Sequence, residues 1–144
     1  MAKVVAVNIS EKKGEIKIPI EKGYFKVNHG LEGDAHAGDW HRQVSLLAQE
    51  SIDKMNSLGI MNLDSGKFAE NITTEGLVLY ELPVGTKLRI GETLMEVTQI
   101  GKECHKGCAI RSQVGDCIMP REGIFTKVLE GGFVKAGDEI ELIK

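Results

Sequence analysis

Apolar and polar positions alternate in short runs along most of this chain. Val4, Val5, Ala6 and Val7 form a run, mostly β-branched, that predicts a strand over Lys3–Ile9. Ile16, Ile18 and Ile20 alternate with polar or turn residues, the pattern of a half-buried strand. Further strands are expected over Tyr24–Val27, Gln43–Leu47, Thr93–Ile100 and Gly123–Leu129, and Phe68–Leu77 reads as loop plus strand. One segment changes period: Ile52, Met55 and Leu58 recur every three residues, predicting a helix over Gln49–Leu58 that Gly59 stops.

Two passages resemble each other. Leu82-Pro83-Val84-Gly85-Thr86-Lys87-Leu88-Arg89-Ile90 and Val134-Lys135-Ala136-Gly137-Asp138-Glu139-Ile140-Glu141-Leu142 each place a glycine turn before a period of two. Each should enter a sheet after a tight turn. Many short strands, little helix and no alternation of strand with helix predict a mainly β fold. The expected architecture is a closed or partly open barrel with one or two short helices, in a single domain over residues 1–144.

Composition narrows the partners. Eighteen basic residues stand against 21 acidic ones, so the chain as a whole has no electrostatic footprint for nucleic acid. A local basic pocket for a small anion remains compatible with that balance. No apolar run approaches the ~20 residues that cross a bilayer, and the start MAKVVAVNIS lacks the basic and long apolar parts of a signal peptide. A cytoplasmic location is expected, where thiols stay reduced. Three cysteines cannot all pair, which favours a free thiol, a metal ligand or a nucleophile over a structural disulfide.

All three cysteines, Cys104, Cys108 and Cys117, fall together just after the strand Thr93–Ile100. Lys102, His105, Lys106 and Arg111 surround the first two, and nearby cations favour the reactive thiolate. Cys104 is the leading candidate, because its polar and basic neighbours do not suit a core position. Cys108 is second, and Cys117 reads as a small core residue. The spacing of Cys104 and Cys108 also fits zinc ligands, with Cys117 third and His105, His36 or His41 fourth, although His105 adjoins Cys104 awkwardly for one metal.

A second constellation lies in the Gly-, Asp- and His-rich stretch Gly30–Arg42, read as a long loop. His29, Asp34, His36, His41 and Arg42 suit an anionic or metal-bearing ligand. The alternative is that Asp34 and the histidines only satisfy backbone groups of the loop. Asn71, beside a strand, suits side-chain hydrogen bonds that hold a loop. Trp40 and Phe68 read as core or rim packing.

Taken in order, these segments resemble one family. Gly33-Asp34-Ala35-His36-Ala37-Gly38, His41-Arg42-Gln43-Val44-Ser45-Leu46-Leu47, Phe68-Ala69-Glu70-Asn71-Ile72-Thr73-Thr74 and Leu82-Pro83-Val84-Gly85-Thr86 look like the MOSC domain, the C-terminal domain of molybdenum cofactor sulfurases. Gly101-Lys102-Glu103-Cys104-His105, Pro120-Arg121-Glu122-Gly123-Ile124-Phe125 and Gly131–Asp138 continue the series over nearly the whole chain.

The resemblance implies a β-barrel and a role with the molybdenum cofactor. Cys104 best matches the family cysteine, which would carry sulfur as a persulfide or bind the molybdenum of the cofactor. Asp34, His36, His41, Arg42, Asn71, Lys102, His105 and Arg111 are the implied cofactor-binding residues. Some relatives have proline before the cysteine; here Glu103 stands there, and its carboxylate disfavours the thiolate. The chain lacks the aminotransferase-like half of full sulfurases, so no pyridoxal phosphate is expected. A sulfur donor protein, or ready-made cofactor, and a molybdoenzyme acceptor are the implied partners.

Overall fold

The first strand sets the pattern for the rest. Val4 and Val7 point inward and are buried, whereas Lys3 stays exposed. The computed structural model describes residues 2–10, 18–34, 37–40, 43–50, 52–53, 70–100 and 123–143. Its strands are β1 Ala2–Ile9, β2 Ile18–Ile20, β3 Lys22–Lys26, β4 Gly30–Leu31, β5 Val44–Ala48, β6 Ile72–Glu75, β7 Lys87–Ile90, β8 Thr93–Ile100, β9 Ile124–Glu130, β10 Gly132–Lys135 and β11 Glu139–Ile143.

Seven strands close a barrel in the order β11-β7-β8-β9-β5-β6-β1, and β2 adds to β1 outside the ring. Closure comes from Ala2 opposite Ile140 and Lys3 opposite Glu139. Two backbone bonds of 2.8 Å, Val4 N to Asp138 O and Gly137 N to Val4 O, reinforce it. Closing the ring removes the exposed edges that an open sheet would present. Among the described pairings only β5–β6 is parallel. Such a pair needs a long crossover, and residues 49–71 provide it.

A second sheet, β10-β3-β4, contributes Phe25, Leu31 and Val134 to the same core as Val7, Leu46, Ile72, Leu88, Ile90, Met95, Val97, Ile124 and Val128. Each such buried side chain is worth about 1.5–3 kcal/mol relative to exposure. The small sheet sits beside the β7–β8 turn, where Glu92 N donates to Phe133 O at 3.3 Å. β5 is buried at all five positions, and the 3-10 turn Leu79–Glu81 lies against it.

The mainly β barrel expected from the alternation is the fold observed, and it is closed. Thr93–Ile100 is a strand over that same span. The two similar passages become neighbours: β7 and β11 pair with Ile90 opposite Ile140 and Leu88 opposite Leu142. Their turn glycines Gly85 and Gly137 both have positive φ, 97° and 93°. The strand expected at Tyr24–Val27 instead begins at Lys22 and ends at Lys26, because Val27–His29 turn the chain and Asn28 adopts φ 56°. Residues 49–50 and 52–53 are helical, and Gln49 Nε2 donates to Asp53 Oδ1 at 3.0 Å across one turn. The rest of the expected helix, 54–58, lies outside the described residues. Among the described residues no helix is long and apolar enough to cross a membrane.

Candidate functional site

The two sequence constellations attach to the barrel at identifiable places. β8 ends at Ile100, paired with Ile124 at the start of β9. The segment bearing Lys102, Cys104, His105, Cys108, Arg111 and Cys117 therefore leaves and rejoins the wall at adjacent positions. Those six residues lie outside the described ones. β5 begins at Val44, directly after the stretch that bears His36, His41 and Arg42; these three also lie outside the described residues.

Register relates the two roots. β5 and β8 both run antiparallel to β9, so they point the same way. The cysteine segment departs from the far end of β8, whereas the histidine stretch enters the near end of β5. Yet Ile124 pairs with both Ile100 and Leu46. Two strand spacings and two residues of rise put the roots Ile100 and Val44 roughly 12 Å apart.

The described part of the histidine stretch is pinned at three points. Asp34 is buried, and its Oδ1 accepts a hydrogen bond from Ser10 N, just past β1, at 3.1 Å. Gly38 N donates to His29 O at 2.7 Å. Gln43 is 2% exposed and reaches across to β9, where its Oε1 accepts from Val128 N at 3.0 Å. Gly30 has φ +105°, and a side chain there would run into the carbonyl oxygen of Gln43. Trp40 is 41% exposed and not part of the core.

Asn71 lies just before β6 and joins three strands. Its Oδ1 accepts from Ser45 N at 3.0 Å and from the Ser45 hydroxyl at 3.2 Å. Its Nδ2 donates to Asn8 O at 3.3 Å, and its own N–H donates to Ser45 O at 2.8 Å. It is 1% exposed, so its amide faces protein on every described side. The bond runs on through Asn8, whose Nδ2 donates to Thr73 Oγ1 at 3.0 Å, and Thr73 Oγ1 donates to the buried Glu70 Oε2 at 2.7 Å.

Asp34 and Asn71 are thus brought together through one short piece of chain, Asn8-Ile9-Ser10. Both serve there as anchors for backbone. Buried polar groups of this kind hold a unique geometry when satisfied. Asn8, Ser10, Ser45, Glu70 and Thr73 belong to this belt; Ser45, Glu70 and Thr73 fall within the motifs of the resemblance, whereas Asn8 and Ser10 fall in none of them. The available signal was a polar residue inside an apolar strand: Asn8 after Val4–Val7, and Ser45 between Val44 and Leu46. Among the described residues no group of three His, Cys, Asp or Glu side chains is placed to hold a metal.

Comparison with known proteins gives a consistent picture. The MOSC domain model matches residues 32–141. That span holds both roots and every candidate residue except His29. An uncharacterized protein, YflK of Bacillus subtilis (strain 168), is 25% identical over 140 residues, covering 90% of this chain and 63% of the relative. The chain thus spans less than two thirds of that relative's length. Among solved structures, YiiM from Geobacillus stearothermophilus superposes with a TM-score of 0.76 at 17% identity, over 100% of this chain and 76% of its own. YuaD from Bacillus subtilis gives 0.76 at 20% identity, over 99% and 96%. YiiM from Escherichia coli gives 0.67 at 21% identity, over 98% and 70%. At these identities the structures share the fold.

Proposed function

Since this chain belongs to the MOSC domain family, we propose that it binds the molybdenum cofactor or carries sulfur for it, with Cys104 as the residue that takes the sulfur or the molybdenum. The single observation that carries this reading is the family match over residues 32–141, which spans both the cysteine segment and the histidine stretch. Family membership supports a link to the cofactor; the particular step belongs to this proposal.

The described residues fit the role of a frame. Asp34 and Asn71 bond to Ser10, Ser45 and Asn8, so both position the chain that carries the proposed ligand groups. The donor set in this reading is Cys104, with Cys108 as the alternative thiol. Arg42, Lys102 and Arg111 match a phosphate, and His36, His41 and His105 match oxo groups or the pterin. Soft sulfur suits molybdenum and sulfane sulfur alike. When bound, the cofactor supplies a molybdenum centre and an anionic phosphate.

In the carrier mode, the Cys104 thiolate attacks the outer sulfur of a donor persulfide. A new S–S bond forms, the donor's S–S bond breaks, and the donor cysteine leaves as thiolate. Cys104 then holds one added sulfur for a molybdoenzyme acceptor. The reaction belongs in a reducing compartment such as the cytoplasm.

Two measurements test the reading. Mass spectrometry after incubation with a persulfide donor should show one added sulfur on the unaltered protein and none on Cys104→Ser. An added sulfur that persists in Cys104→Ser excludes Cys104. Protein purified from cells that make the cofactor should carry pterin and molybdenum; neither pterin nor added sulfur would overturn both modes. Pterin that survives Cys104→Ser would make the protein a ligand carrier without a thiol step. One equivalent of tightly held zinc would instead tie the cysteines to structure.

A further inference from the structure

The ladder between β8 and β9 changes which side chains turn outward as it nears the cysteine segment. Met95 and Val97 point into the core, and Glu96 points out, its carboxylate 3.8 Å from Lys127 Nζ. Unbroken alternation would turn Gln99 inward. Instead the register slips: Val97 faces Thr126, Gln99 faces Phe125, and Thr98 is the extra residue of a bulge. The Thr98 hydroxyl donates to Phe125 O at 3.2 Å and fastens the slip in place. Ile124 and Val128 belong to the core and Phe125 does not. Phe125 therefore turns outward, and Gln99 opposite it shares that face.

Phe125 also faces Ser45. One rung of the outer wall thus reads Gln99, Phe125, Ser45, and two strand spacings put its ends about 10 Å apart. The rung continues from Ser45 through Asn71 to Asn8. Gln99 lies one residue before Ile100, the root of the cysteine segment. Ser45 lies one residue after Val44, the root of the histidine stretch. Both constellations therefore border the same stretch of outer wall. The opposite, inner face is filled: Leu46, Met95, Val97, Ile124 and Val128 are fully buried. Along the rung Phe125, Ser45, Asn71 and Asn8 are buried too, whereas Gln99 is half-buried.

We propose that Gln99 is a ligand-binding residue that reads the pterin ring, an inference that rests on the cofactor reading above. Its carboxamide sets an acceptor beside a donor. The pterin ring likewise sets a carbonyl oxygen beside an N–H. The two can exchange a pair of hydrogen bonds, as glutamine does with the edge of a base. The bulge at Thr98 turns Gln99 to the face that both roots border, as bulges beside functional sites re-aim side chains.

The test uses protein purified from cells that make the cofactor, assayed for pterin by fluorescence after oxidation and for its melting temperature. Gln99→Met keeps the length of the side chain and removes both hydrogen-bonding groups. It should carry at least tenfold less pterin than the unaltered protein, at an unchanged melting temperature. Lys127→Gln, two residues along β9 on the same outer face, should carry the full amount. Full pterin in Gln99→Met overturns the inference and leaves the cofactor reading standing. So does an equal loss in Lys127→Gln, or a loss that appears only with a lower melting temperature. Unaltered protein that gains sulfur on Cys104 but carries no pterin overturns the inference and leaves the carrier mode. Unaltered protein with neither overturns both.

Discussion

Asn71 and Ser45 grip each other reciprocally: the Asn71 carboxamide oxygen accepts from the Ser45 amide and hydroxyl, and the Asn71 amide donates to Ser45 O and to Ser45 Oγ at 3.0 Å. The pair fastens the single parallel junction among the described strands. Asn71→Ala would remove the side-chain bonds to the Ser45 amide and hydroxyl and to Asn8 O. An unsatisfied buried group costs about 1–3 kcal/mol. We expect a loss of about 3 kcal/mol in urea denaturation, less for Ser45→Ala, and a non-additive double variant. Additive losses would mean that the two side chains act separately.

Asp34 ties the histidine stretch to the end of β1 through the Ser10 amide. Asp34→Ala should cost about 1.5–3 kcal/mol, in the range of a hydrogen bond to a charged group. The more specific readout is hydrogen exchange. The Ser10 amide should exchange much faster in Asp34→Ala, while amides in the middle of β8 keep their protection.

Gly30 and Gly85 both have positive φ, yet they differ in surroundings. A methyl group on Gly30 meets the Gln43 carbonyl, whereas one on Gly85 meets nothing within 4 Å. Gly85→Ala should therefore cost only the backbone penalty, about 1–2 kcal/mol. Gly30→Ala should cost about 3 kcal/mol or more, because strain and collision add. Equal losses in thermal melts would show that conformation alone governs both positions.

Gln43 supplies an acceptor to the backbone of β9 from a residue 85 positions away in sequence. Gln43→Leu keeps much of the bulk and removes the acceptor, leaving the Val128 N–H buried and unpaired. A loss of about 1–3 kcal/mol is expected in denaturant unfolding. Gln43→Glu should recover part of it if the acceptor is what matters.

Sequence patterning reached the barrel because alternation reports burial along its wall, although in the expected half-buried strand of Ile16, Ile18 and Ile20 it did not, since Ile18 on the outlying β2 is 63% exposed. Leu88–Ile90 and Met95–Val97 each show which face is inside before any partner is known, whereas the unbroken run Val4–Val7 shows only that a strand is there. It did not reach β4, two residues long, whose strand character comes from pairing with Phe25 and Lys26. It did not find that β7 and β11 are neighbours, since register across some fifty residues has no local signature. Of the candidate site, Asn71 was legible as a polar residue beside a strand and Asp34 as a loop residue able to satisfy backbone groups. Their partners were not, because a bond from Asn71 to Asn8 or from Asp34 to Ser10 exists only once the strands are assembled.

Ile100 and Ile124 face each other across the β8–β9 ladder. The residues between them form a detour that starts and finishes at one rung. The entropy of closing such a detour changes only slowly with its length. The barrel is therefore a chassis into which sequences of other lengths, with other reactive groups, can be transplanted at that rung without recutting the wall.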